Sequence, residues 1–138
     1  MVNLTSLIIA EDDADDRLLI EDAMNDNDIP SDCIEFVDDG DKLIEKLAEF
    51  KDKPVIVFLD LNMPRKDGRQ ALKEIKEEDQ FKHIPIIIFS TSSNEEDIKT
   101  SYKHGVNTYF TKPSKYSELV EIIATVKSYW WDKASYIC

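Results

Sequence analysis

The stretch VIVFLDLNMPRKDG, residues 55–68, decides the fold of this chain. Five apolar and mostly β-branched residues lead directly into Asp60, and a loop marked by proline and glycine follows. A continuous apolar run of this length is typical of a strand buried on both faces in the middle of a parallel sheet. Asp60 then lies at the carboxyl end of a central strand, the edge where open α/β sheets bind ligands. Taken alone, Asp60 is more often an ordinary turn residue.

The composition is that of an acidic globular protein. The 138 residues fit one domain with a well-buried core, and 42% of them are hydrophobic. A net charge of -12 disfavours binding to nucleic acid or to an anionic membrane surface. Cys33 and Cys138 are expected to be thiols in a reducing compartment. Because neither a signal-peptide core nor a stretch of membrane-spanning length is present, we expect a cytoplasmic protein.

Four more apolar runs, at residues 7–10, 33–37, 84–89 and 107–111, alternate with segments of helical periodicity. This order, β-α repeated five times, predicts an α/β fold with a doubly wound, five-stranded parallel sheet and helices on both faces. The core-facing residues predicted for the helices are Ile20, Ala23, Met24, then Leu43, Ile44, Leu47, Ala48, then Ala71, Leu72, Ile75, then Ile98, Tyr102, and finally Tyr116, Leu119, Val120, Ile123, Val126.

Several helix ends are also predicted. Asp13 is a plausible N-cap of the first helix, and Asp15 and Asp16 are expected only to complement its macrodipole. Ser93 with Glu96 fits a capping box for the fourth helix, and Gly105 fits its stop signal. That helix carries few apolar residues, so we expect it to be the least firmly docked and a candidate moving part.

The residues at the strand ends should meet, because all strands of a parallel sheet share one carboxyl edge. They are Glu11, Asp12, Asp60, Ser90 and Lys112. Three carboxylates without histidine or cysteine suit Mg²⁺, and without a cation they would raise one another's pKa. A lysine and a hydroxyl beside them are what phosphoryl transfer needs.

With these residues in place, the chain resembles a response-regulator receiver domain of two-component signalling over essentially its whole length. Asp60 matches the phosphoacceptor, and the carbonyl of Asn62 matches a metal ligand. The other matching positions are the acidic pair Glu11-Asp12, Ser90, the switch aromatic Tyr109 and the pair Lys112-Pro113. Glu11 departs from the usual first acid but is tolerated in the family. Residues 60–64, 108–113 and 129–131 are similar to those of phytochrome-associated single-domain regulators.

The resemblance implies a flavodoxin-like (βα)5 fold with strand order 2-1-3-4-5 and a specific mechanism. A histidine kinase or phosphotransfer protein would donate a phosphoryl group to Asp60. Mg²⁺ would be held by the metal ligands Glu11, Asp12, Asp60 and the Asn62 carbonyl. Lys112 would pair with the phosphoryl group, and Ser90 would move to bond it, which would let Tyr109 turn inward. Pro113 would follow a cis peptide bond, and Asn62 and Ser92 would tune hydrolysis.

Three alternatives compete with this interpretation. A Mg²⁺-dependent aspartyl-phosphate phosphatase of the haloacid-dehalogenase type needs a general acid two residues after the nucleophile, and Asn62 cannot exchange a proton. A flavodoxin-like cofactor carrier is disfavoured by the five acids in residues 11–16. A non-phosphorylated adaptor that merely keeps the fold would make the intact site a coincidence. We therefore expect no enzyme beyond its own phosphorylation and dephosphorylation.

The expected domain organisation is a single receiver domain over residues 1–138 without an output domain. Its signal would then leave through a protein surface formed by the fourth helix, fifth strand and last helix. Apolar residues near the end of the chain predict a homodimer interface on the last helix, through Ile122, Tyr129 and Trp130, with Trp131 beside them. No nucleic acid or membrane partner is expected.

Overall fold

A single parallel sheet organises the protein. The structure is a computed structural model that describes residues 6–50 and 53–133. The strands are β1 (Ser6–Ala10), β2 (Ile34–Val37), β3 (Val55–Leu59), β4 (Ile86–Ser90) and β5 (Thr108–Thr111), in the order β2-β1-β3-β4-β5. All pairings are parallel. The predicted flavodoxin-like fold and strand order are confirmed.

Helices cover both faces of this sheet. They are α1 (Ala14–Asp26), α2 (Gly40–Glu49), α3 (Gly68–Glu77), α4 (Glu95–Lys103) and α5 (Tyr116–Lys127), with a 3₁₀ turn at Ser31–Cys33 and a π-helical turn at Ser128–Lys133. Helices α2 and α3 pack into one core cluster, and α1 and α5 pack into the other. None of the helices within residues 6–50 and 53–133 is long and apolar enough to cross a membrane.

The register of the central strands aligns their carboxyl ends. All five residues of β3 are buried, and Leu59 pairs with Ala10 of β1 and with Ile88 of β4. The Asp60 amide then donates to the Ala10 carbonyl at 3.0 Å, one residue beyond the strand. The amide of Lys112 donates to the Ser90 carbonyl at 2.7 Å in the same way. These bonds fix the first residue of each loop at one edge of the sheet.

Helix α3 begins immediately beside Asp60. Its N-cap is Asp67, which accepts a hydrogen bond from the Gln70 amide at 3.1 Å. A Cβ atom at Gly68 would lie 2.1 Å from the Asp60 carbonyl oxygen and 2.7 Å from the Leu61 Cα. Only glycine therefore lets α3 start this close to the candidate site.

Helix α4 is the most weakly buried of the five helices. It buries one residue, Ser101, whereas the others each bury three or four. The predicted stop at Gly105 is confirmed by a φ of +95°. The predicted capping box is wrong, because the N-cap is Asn94, whose side chain accepts from the Glu96 amide at 2.7 Å. Tyr102 is 48% exposed and is not a core anchor, since its hydroxyl accepts from a backbone amide of β5.

Most predicted core positions on the other helices are buried, with exceptions at helix edges. Ala48 is exposed, and Tyr116 is 40% exposed because its hydroxyl donates to Asp26 at 2.6 Å. Asp13 caps α1 as predicted. Cys33 is a free, half-buried thiol in the 3₁₀ turn rather than in β2, and Cys138 lies outside the described residues.

The prediction of a cis bond before Pro113 is wrong, since the described residues contain no cis peptide bond. The trans form is the intrinsically favoured isomer of an X–Pro bond by about 0.5–1 kcal/mol. In this structure the Lys112 side chain reaches the acidic residues from a trans backbone.

Candidate functional site

The carboxylate of Asp60 is the centre of the candidate site. It is 6% exposed, so it is buried at the carboxyl edge of the sheet rather than lying on open surface. Its Oδ1 accepts a hydrogen bond from the Asn62 amide at 3.1 Å, and its Oδ2 lies 3.3 Å from Lys112 Nζ. One carboxylate oxygen is therefore held by the backbone of its own loop and the other faces a cation.

Glu11, Asp12 and Asp60 form a cluster of three carboxylates. Each contributes an oxygen that lies within 4.8 Å of the other two. Glu11 and Asp60 are buried, whereas Asp12 is exposed and leaves the cluster open to solvent. Three hard oxygen donors with an open side fit a divalent cation such as Mg²⁺, which keeps several of its waters.

Glu11 is the least accessible of these acids, with 2% of its surface exposed. Burial, together with the smaller effect of the nearby Asp60 charge, raises the pKa of its carboxyl to about 7, even though a hydrogen bond from Lys112 lowers it. Its Oε2 also accepts from the Asp13 amide at 3.2 Å. A buried carboxyl of this kind is stabilised in its charged form by a neighbouring cation.

Lys112 is that cation within the described residues. Its Nζ contacts Glu11 Oε1, lies 2.8 Å from Asp16 Oδ2 and reaches Asp60, while 10% of its side chain is exposed. Burial lowers its pKa, but the hydrogen bonds to Asp16 and Glu11 and the charge of Asp60 outweigh burial, so the net shift is upward. The side chain is therefore an ammonium group at neutral pH.

Asp16 is a site neighbour that the sequence did not reveal. The sequence places it only near the start of α1, together with Asp13 and Asp15. The structure turns its carboxylate toward Lys112, whereas Asp13 caps the helix. Nothing in the sequence indicates which of these acids belongs to the site. The direction in which α1 leaves the sheet decides which of them faces the carboxyl edge of the sheet.

Ser90 and Tyr109 both contact the loop between β4 and α4. Ser90 is fully buried, and its Oγ accepts from the Ser92 amide at 3.2 Å. The Tyr109 hydroxyl donates to the Ser92 carbonyl at 2.8 Å, and its half-buried ring packs against the core. Both residues therefore act on the loop that follows Ser90, and neither is hydrogen-bonded to Asp60 in this structure.

Asn62 is exposed and adjoins a second polar group that the sequence did not reveal. Its side-chain oxygen lies 3.4 Å from Arg69 Nη1. Arg69 in turn forms an ion pair with Asp97 on α4, at 2.9 Å between Nε and Oδ1. The sequence does not single out Arg69, because its position on α3 is typical of an ordinary exposed helix charge.

Residues 7–124 match the family model of the response regulator receiver domain, so the chain belongs to the response regulator receiver family. It is similar to Rcp1 of Synechocystis sp., at 32% identity over 129 residues that cover 90% of this chain and 87% of Rcp1. The predicted membership in two-component signalling is thereby confirmed.

Solved structures agree with this assignment. The Mn²⁺-bound form of Rcp1 has a TM-score of 0.82 at 28% identity and covers 98% of this chain and 100% of its own. The phosphorylated cyanobacterial phytochrome response regulator RcpA has a TM-score of 0.84 at 34% identity, and the match covers 96% of this chain and 97% of RcpA. RPA3017, a response regulator in red light signaling of R. palustris, has a TM-score of 0.85 at 31% identity, and the match covers 98% of this chain and 99% of RPA3017. The predicted similarity to phytochrome-associated regulators is confirmed.

Proposed function

We propose that the protein accepts a phosphoryl group on Asp60 from a histidine kinase or phosphotransfer protein. The observation that carries this proposal is the environment of the Asp60 carboxylate. It is buried at the end of the central strand, faces Lys112 on one oxygen and shares a cluster with Glu11 and Asp12. A relative of similar size and fold, RcpA, has been solved in a phosphorylated form.

The proposed cofactor is Mg²⁺, held by the carboxylates of Glu11, Asp12 and Asp60 and by the backbone carbonyl of Asn62. The donor set supports it, because three clustered carboxylates with one exposed member match the ligands that Mg²⁺ prefers. The related Rcp1 has been solved with Mn²⁺. When bound, the ion neutralises charge on the phosphoryl oxygens.

The remaining site residues have separate roles in this proposal. Lys112 donates to a phosphoryl oxygen, and its contacts with Glu11 and Asp16 hold its ammonium group beside Asp60. The Ser90 oxygen accepts from the Ser92 amide, so its hydroxyl hydrogen is available to a phosphoryl oxygen. A shift of Ser90 changes the loop that also receives the Tyr109 hydroxyl. Ser90 and Tyr109 thereby act as the switch.

The proposal also covers the surroundings of the site. The chain acts as a single cytoplasmic receiver domain over residues 1–138, without nucleic acid or membrane partners. It signals through α4, β5 and α5. Homodimerisation uses the last helix and the turn after it, where Tyr129 is 59% exposed. Ile122, Trp130 and Trp131 are partly buried against the core and offer less surface than the sequence suggested.

The experiment is intact-mass measurement after incubation with acetyl phosphate and Mg²⁺. The wild-type chain should gain the mass of one phosphoryl group, and Asp60→Asn should gain none. Asp15→Asn is the matched control, because Asp15 is an exposed acid in the first turn of α1, near the site but outside the carboxylate cluster. It should react like the wild type. A wild-type chain that stays unmodified while a known receiver reacts in parallel would rule the proposal out.

A further inference from the structure

A bidentate ion pair between Arg69 and Asp97 connects helices α3 and α4. Arg69 Nε lies 2.9 Å from Asp97 Oδ1, and Arg69 Nη2 lies 2.9 Å from Asp97 Oδ2. The two side chains are 40% and 22% exposed. Two parallel charge-assisted bonds fix both the distance and the relative orientation of the groups. The pair therefore restrains the first turn of α4 more than a single surface contact would.

The Asp97 carboxylate also reaches the loop between β4 and α4. Its Oδ2 accepts from the Ser92 hydroxyl at 2.7 Å. Ser92 in turn donates its amide to Ser90 Oγ and accepts from the Tyr109 hydroxyl with its carbonyl. Asp97 is thus directly hydrogen-bonded to Ser92, and Ser92 is hydrogen-bonded to both proposed switch side chains.

Arg69 reaches the other side of the site. Its Nη1 lies 3.4 Å from the Leu61 carbonyl and 3.4 Å from the Asn62 side-chain oxygen, and both residues belong to the loop that follows Asp60. The ion pair therefore connects the loop after Asp60 with the loop after Ser90.

Helix α4 has few other contacts that could hold it against the rest of the protein. Ser101 is its single buried residue, and Ile98 is half-buried. Because little apolar surface of α4 is removed from water, polar contacts make up a larger share of what docks it than they do for the other helices.

We propose that Arg69 and Asp97 are positioning residues whose ion pair holds α4 and Ser92 against the loop after Asp60, and so sets where the Ser90 hydroxyl lies. The consequence for phosphorylation rests on the proposed function, whereas the docking of α4 does not. The docking is therefore measured on the free protein.

The experiment is amide hydrogen exchange of α4 followed by NMR, in the wild type, Arg69→Ala, Asp97→Asn and the double variant. Each single variant should exchange its α4 amides about tenfold faster, which corresponds to about 1.4 kcal/mol. The double variant should be no faster than either single variant, because both remove the same interaction. Equal exchange in all four proteins, or effects that multiply in the double variant, would overturn the proposal.

A matched control separates the ion pair from the helix macrodipole. Glu95 is an exposed acid in the same first turn of α4, without a side-chain partner among the described residues. Glu95→Gln removes the same charge as Asp97→Asn, so a pure dipole effect would accelerate exchange equally in both. We expect Glu95→Gln to leave α4 exchange at the wild-type rate. An equal acceleration would contradict the proposed role of Asp97.

Two spectroscopic signals report positioning directly. The Arg69 Nε–H resonance should be slow to exchange in the wild type and fast in Asp97→Asn. The Ser92 amide resonance should also shift in Asp97→Asn, because its hydrogen bond to Ser90 Oγ is displaced. An unchanged Ser92 amide would mean that the ion pair docks α4 without setting Ser90, and would overturn that part of the proposal.

Beryllium fluoride with Mg²⁺ tests the consequence for switching. In the wild type we expect it to change α4 exchange, and in Arg69→Ala we expect a smaller change because α4 is already released. An undiminished change in Arg69→Ala would contradict the coupling. If the wild-type residues around Asp60 do not respond at all, the proposed function fails, while the exchange results on the free protein still decide the role of the ion pair.

Discussion

At the scale of single residues, the site depends on how its charges are paired. Lys112 is surrounded by three carboxylates, and one of them, Asp16, lies outside the cluster proposed to hold Mg²⁺. Asp16 therefore has a distinct role, which is to hold the ammonium group of Lys112 near Asp60.

This role predicts graded effects on phosphorylation by acetyl phosphate. Lys112→Ala should slow the reaction about 100-fold, the magnitude typical of losing a donor to developing charge. Asp16→Asn should slow it only a few-fold, since roughly a third of the Asp16 side chain is exposed and Glu11 still holds the lysine. Rates come from intact-mass time courses, with Asp15→Asn as the control. Equal rates in Asp16→Asn and Asp15→Asn would show that Asp16 does not position Lys112.

The Asp97 carboxyl predicts a specific dependence of stability on pH. Hydrogen bonds from Arg69 and Ser92 lower its pKa to about 2 from the ordinary value of 3.8. A group whose pKa is lowered on folding stabilises the protein above its unfolded pKa and loses that contribution as the pH falls through the folded pKa. After allowance for solvent screening, the contribution at neutral pH should be about 1–2 kcal/mol.

Urea unfolding of the wild type and Asp97→Asn between pH 7 and pH 2 measures this contribution. The difference in unfolding free energy should be constant above about pH 5, shrink below pH 4, fall to a small fraction of its neutral value near the folded pKa of about 2 and vanish only below it. Other carboxyls titrate in both proteins and cancel in the difference. A gap that stays constant down to pH 2 would contradict the assigned ion pair.

At the scale of elements, the joint between β3 and α3 brings the helix start against the Asp60 backbone. The close approach at Gly68 predicts that Gly68→Ala destabilises the protein by about 3 kcal/mol, because the new Cβ would overlap backbone atoms that cannot rotate away. Gly105→Ala is the comparison. Its Cβ would meet only the Lys76 side chain at 3.7 Å or more, so the cost should be about 1 kcal/mol from its positive φ. Urea denaturation that ranks the two variants in the opposite order would contradict this description.

The elements also show where sequence patterns are sufficient. The strands and the core faces of α1 and α3 follow from apolar runs and helical spacing, because burial on a sheet demands them. The cap of α4 did not follow, since Ser93 and Asn94 are both good caps and one residue of loop length decides between them. The apolar pattern of α4 predicts Tyr102 in the core, yet its hydroxyl accepts a hydrogen bond from the Tyr109 amide at the edge of the sheet.

At the scale of the whole molecule, the parallel sheet made the site predictable. Strand ends of such a sheet share one edge, so the convergence of Glu11, Asp60 and Lys112 could be expected from the position of each at the end of a run. Asp16, Arg69 and Asp97 could not be found in this way. These residues lie on helices. The orientation of each helix decides which of its charges face the carboxyl edge of the sheet, and a linear sequence pattern does not specify that orientation.

The proposed homodimer is also a property of the whole molecule. Tyr129 is largely exposed and its ring packs edge-on against Trp130. Sedimentation velocity over a range of concentrations should therefore show a monomer–dimer equilibrium for the wild type, weakened in Tyr129→Ala because exposed aromatic area is lost. Leu18→Ala is the control, as it removes an equally exposed apolar side chain from α1. Monomers at every concentration, with or without beryllium fluoride and Mg²⁺, would contradict the proposed homodimer.

The most direct test of the whole account is to locate the phosphoryl group. Borohydride reduces an aspartyl phosphate to homoserine, so a chain treated with acetyl phosphate and Mg²⁺ and then reduced can be read by peptide mass spectrometry. We expect homoserine at position 60 and unmodified carboxylates at Glu11, Asp12 and Asp16. Reduction at any of those acids, or an intact aspartate at position 60 in a chain that has gained phosphate, would contradict the assignment of Asp60 as the phosphoacceptor.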